Sequence, residues 1–129
     1  MKEKQKLNSN QNRRNRLFQI SIIIILILLL TPSNGKYSVN YIDKLVHFSL
    51  FMVLSINICY KYQKDKIRFE AIIWAIFFGL LTEVIQQFIP GRDMDIYDGI
   101  ADTLCVIAGY YIYLNNHFKL DKIILKLGA

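Results

Sequence analysis

The stretch TEVIQQFIPGRDMDIYDGIADT, residues 82–103, decides how this chain folds, because it sets Glu83, Arg92, Asp93, Asp95, Asp98 and Asp102 between apolar runs. Pro90-Gly91 at its centre suits a tight turn: proline pre-sets one dihedral and glycine is free to take positive φ. The flanking runs therefore read as an antiparallel helical hairpin. Glu83 and Asp98 lie seven residues on either side of the turn, so a simple hairpin sets them at similar depth, roughly 10 Å in at 1.5 Å per residue.

Four apolar blocks occupy residues 17–30, 45–60, 71–89 and 96–114 of a 129-residue chain that is 53% hydrophobic and 20% charged. That composition is too apolar for an ordinary soluble domain and too short for two. A hydrocarbon core of about 30 Å asks for about 20 helical residues. The expectation is an all-α membrane bundle of about four transmembrane helices, near 17–31, 45–61, 69–89 and 96–114. The first block also fits a secretory signal, with Arg13, Arg14 and Arg16 before it and small Ser33 and Gly35 after it. Residues 1–16 are polar without an apolar face and are expected to be disordered. Residues 115–129 space Leu120, Ile123, Ile124 and Leu127 as an amphipathic tail, an inner-leaflet segment or an extension of the fourth helix.

Charge orients the bundle. Basic residues gather before the first block, between the second and third, and after the fourth, with only Lys36, Lys44 and Arg92 on the opposite side. The positive-inside rule then places both termini in the cytoplasm and the quoted stretch outside. The net charge of +6 is topological, which argues against nucleic acid as a partner. Cys59 and Cys105 fall at different depths and imply no disulfide framework. Tyr60, Tyr62, Tyr110, Tyr111 and Tyr113 read as interface anchors.

On the outer side, Asp95, Asp98, Asp102, Cys105 and Gly109 recur every three or four residues and share one helix face. Gly79, Glu83 and Gln86 make a facing stripe, and the glycines suggest close approach of the two hairpin helices. Asp43, Lys44 and His47 open the second block. Six acids face three bases there, a surplus that calls for a bound cation or protonated carboxyls. Charged groups in a bilayer are costly and belong inside the bundle, which makes Glu83, Asp98 and Asp102 the strongest candidates. Asp93 and Asp95 stand where a helix starts and read as caps. Arg92 suits either a pair with Asp95 or a grip on an anionic phosphate, and His47 either a structural hydrogen bond or a proton carrier. His117 lies on the cytoplasmic side.

The segments DKLVHFSLF (43–51), GLLTEVIQQF (79–88) and GRDMDIYDGIADTLCVIAG (91–109) resemble the VanZ-like family of small integral membrane proteins, named after a protein linked to teicoplanin resistance. Asp43, Lys44, His47, Glu83, Gln86, Arg92, Asp95 and Asp98 match its pattern. Asp102 departs from the usual Asn, and Cys105 from the usual Gly. The resemblance implies a multi-pass protein of the bacterial cell envelope, sometimes conferring glycopeptide tolerance.

Two readings of function stand beside each other. In one, the pocket binds or modifies an envelope lipid or lipid-linked intermediate: Glu83, Asp98 and His47 carry proton transfer, and Asp43, Lys44, Gln86, Arg92, Asp95 and Asp102 hold the ligand. In the other, the polar cluster is an interhelical network of a non-catalytic assembly factor whose partner is another envelope protein. A metal held by His47, Glu83, Asp98 and Asp102, a set suited to magnesium, manganese or calcium, ranks below both. No cofactor, oligomeric state or ligand identity is legible, nor whether a bond is made or broken.

Overall fold

The computed structural model describes residues 1–30, 41–91 and 95–127. These form four helices, α1 (Lys2–Leu30), α2 (Tyr41–Lys61), α3 (Asp65–Gln86) and α4 (Ile96–Leu127), with no strand among the described residues. The expected all-helical architecture is present. Of these helices, α3 is the one long and apolar enough to cross a membrane on its own.

Each helix boundary has a local cause. α3 stops at Gln86, three residues short of the expected end, and tightens into a turn in which Phe88 N–H donates to Ile85 O and Ile89 N–H to Gln86 O. Pro90 follows, lacking an N–H and disfavouring helical backbone before it. Gly91 then takes φ 78°, the left-handed conformation expected for it. α4 opens on Asp95, whose Oδ1 accepts from the N–H of Tyr97 at 2.9 Å. This is the capping role expected of an acid at that position.

α2 is the central helix, pairing most extensively with α4 and also with α1 and α3, while α3 closes against α4. The core draws Ile25 from α1, Phe51, Leu54, Ile58, Cys59 and Tyr60 from α2, Ile72 and Ala75 from α3, and Val106 and Tyr113 from α4. Gly109 permits the tight α2–α4 crossing. A Cβ there would lie 2.8 Å from Met52 O and 2.9 Å from Ser55 Cβ, and Ser55 Oγ donates to Val106 O at 2.6 Å. Its partner is thus α2 and not α3. Gly99 instead brings α3 and α4 together, its Cβ position lying 3.3 Å from Glu83 Cγ and Leu80 Cδ2.

Beside this apolar core, Ser55, Asn57, Arg68, Thr82, Glu83, Gln86 and Asp102 are also buried, whereas Ile23, Ile27, Trp74, Phe77, Leu81, Ile100 and Leu104 are exposed.

Two expectations are corrected and one open choice, that of the C-terminal segment, is decided. α1 extends back to Lys2, so residues 2–16, expected to be disordered, are helical. Once the apolar half nucleates the helix, each added residue gains a backbone bond, and Arg14 stacks over the Tyr60 ring at 4.9 Å while Arg13 donates to Leu125 O. The C-terminal segment continues α4 past a kink at Asn116 (φ −127°, ψ 20°), with Leu120 and Ile124 packed on the core. Tyr60 and Tyr113 are buried rather than interfacial. Ser33 and Gly35, where signal cleavage was expected, lie outside the described residues.

Candidate functional site

His47 enters the bundle from α2, Glu83 from α3 and Asp102 from α4, and one ligand atom from each lies within 4.8 Å of the others. Glu83 is 2% exposed and Asp102 0%. Nδ1 of His47 stands 3.1 Å from Oδ1 of Asp102, an ion-pair distance. Both carboxylate oxygens of Glu83, both of Asp102 and Nε2 of His47 are buried without a hydrogen-bond partner among the described residues. Leaving such groups unsatisfied costs about 1–3 kcal/mol each, more for charges.

Packing encloses the site. Phe51 meets the His47 ring nearly edge-on, centroids 5.1 Å apart at 70°. It fits because Gly79 on α3 has no side chain, a Cβ there falling 3.2 Å from Phe51 Cε1 and 3.7 Å from Asp102 Cβ. The opposing Gly99 makes room for Glu83 in the same way.

One helical turn toward the Pro90-Gly91 turn lies a second, wetter layer. Lys44 Nζ is 3.0 Å from Asp98 Oδ1 and 3.4 Å from Asp95 Oδ2, and all three side chains are partly exposed. Lys44 precedes His47 by one turn on α2, and Asp98 precedes Asp102 by one turn on α4, so the two layers share the same helices. The geometry divides the expected residues. Asp98 pairs with Lys44 and Asp102 with His47, while Gly99, next to Asp98, faces Glu83 across the hairpin. Gln86 is buried one turn from Glu83. Arg92, Asp93 and the side chain of Asp43 lie outside the described residues.

At the opposite end of the bundle, Arg68 is buried although the sequence reading treats it only as a topological charge. Its Nε and Nη2 donate to the carbonyls of Tyr62 and Gln63, and its Nη1 pairs with Asp65 at 3.2 Å. The guanidinium thus satisfies carbonyls just past the end of α2. Tyr113 completes this region by donating to Asp121 at 2.8 Å beneath the same guanidinium. No spacing in the sequence distinguishes Arg68 from its exposed neighbours.

The VanZ/LLP1 family model matches residues 2–120. An uncharacterized protein of Schizosaccharomyces pombe is 28% identical over 88 residues, covering 65% of this chain and 54% of that protein, so the chain spans about half the length of this relative. No solved structure matches. With nearly its whole length matched by the family model, this chain belongs to the VanZ/LLP1 family.

Proposed function

We propose that this chain is a multi-pass protein of the cell membrane whose outward-facing polar site binds or modifies an envelope lipid or lipid-linked intermediate. The observation that carries the reading is the convergence of His47, Glu83 and Asp102 in one buried cluster beneath a partly exposed ionic layer. A lipid headgroup reaches such a site from the bilayer without crossing water. The His47–Asp102 pair relays a proton, since a carboxylate at Nδ1 sets the tautomer and stabilises the imidazolium. Glu83, without a partner of its own among the described residues, is the second acid or base. Lys44, already held by Asp95 and Asp98, positions the mouth, and Arg92 grips the phosphate. The family resemblance extends the proposal to glycopeptide tolerance, teicoplanin included.

The test compares wild type with Glu83→Gln by native mass spectrometry and lipid analysis, alongside the teicoplanin susceptibility of cells expressing each. An envelope lipid that co-purifies with wild type and is lost from the variant, together with lost tolerance, is the expected result. A protein partner retained equally by both forms, with no lipid in either, overturns the proposal in favour of a non-catalytic assembly factor.

A further inference from the structure

We infer that His47, Glu83 and Asp102 form a binding site for one divalent cation of the manganese type. The ligand atoms lie within 4.8 Å of one another, and the two facing carboxyl groups, both acceptors, have no donor between them. Bonds of about 2.0–2.2 Å to a central ion set neighbouring ligand atoms about 3.0–3.6 Å apart, so closure needs side-chain shifts of up to about 1 Å. An atom between the three groups satisfies what the groups cannot satisfy among themselves.

Charge points the same way. Two enclosed carboxylates and a neutral imidazole carry −2, which a divalent cation cancels, and cancellation is what burial away from water demands. The mixed donor set selects the ion. Carboxylates alone suit magnesium or calcium, whereas an imidazole nitrogen shifts preference toward manganese and its first-row neighbours. Phe51 supplies the apolar wall that keeps such a site dry. Three protein ligands leave coordination positions open toward the Lys44 layer, where the oxygen of an anionic headgroup can enter. The cation would deepen the lipid-site reading by supplying the positive charge that Lys44, already paired, does not. Because its binding is measured without any lipid, the two proposals fail separately.

The experiment uses the full chain in detergent, stripped with a chelator and titrated with manganese chloride under electron paramagnetic resonance. One saturable ion per chain is expected, with nitrogen hyperfine coupling that is lost in His47→Gln and kept in His117→Gln. The isosteric variants Asp102→Asn and Glu83→Gln should each weaken binding at least about 10-fold. Absence of saturable binding, or saturable binding without nitrogen coupling in the wild-type protein, overturns the inference, and neither outcome depends on the variants folding. Undiminished affinity in the Asp102→Asn, Glu83→Gln double variant would also overturn it.

Discussion

Nδ1 of His47 on α2 lies 3.1 Å from Oδ1 of Asp102 on α4, a pairing in which the Asp102 side chain is fully buried. Asp102→Asn retains the size and an acceptor for the imidazole while removing the charge. The expected outcome is a protein that still inserts and accumulates but has lost manganese affinity. Asp102→Leu, by contrast, removes the acceptor from His47 and should lower stability by about 1–3 kcal/mol, read by thermal unfolding in detergent.

Protons compete with a cation for all three side chains. Metal ligands must be deprotonated to bind, so manganese affinity should fall as pH falls. Binding isotherms measured from weakly alkaline to acidic pH check the sign. Affinity that rises on acidification is incompatible with these ligands.

The Lys44 layer should behave differently. Its side chains are about a quarter to two-fifths exposed, and ion pairs in such surroundings contribute about 0–1 kcal/mol. Lys44→Met should change the unfolding temperature little and leave manganese stoichiometry intact. A loss of several kcal/mol would show that the layer is far less hydrated than its exposure implies.

Gly109 and Gly99 test packing against site geometry. A Cβ at Gly109 strikes the Met52 carbonyl oxygen and Ser55 Cβ, which backbone cannot easily yield. Gly109→Ala should therefore cost about 1–3 kcal/mol. At Gly99 the obstacles are the flexible ends of Glu83 and Leu80, so Gly99→Ala should be milder in unfolding yet displace Glu83 and weaken cation binding. Parallel melting and titration curves separate the two effects.

Arg68→Ala should destabilise without touching the site. It strips donors from the Tyr62 and Gln63 carbonyls and leaves the Tyr113 ring uncovered, a loss of about 1–3 kcal/mol. Manganese titration of this variant should match wild type once it is folded.

Periodicity and turn chemistry alone determined that the chain is helical, that Pro90-Gly91 ends a hairpin arm, and that Asp95, Asp98 and Asp102 share one face of α4. These are local properties: the helical repeat orders residues on a face, and proline and glycine restrict backbone wherever they stand. Family membership was legible for a related reason, since the matching residues sit at short, regular spacings. Tertiary structure decided which faces meet. It turned Gly109 toward α2, gave Asp98 to Lys44 and Asp102 to His47, and buried Arg68, Tyr60 and Tyr113, because helix rotation and side-chain volume act across elements far apart in the chain. The same packing drew the N-terminal basic segment into helix through Arg13 and Arg14, contacts that no local composition encodes.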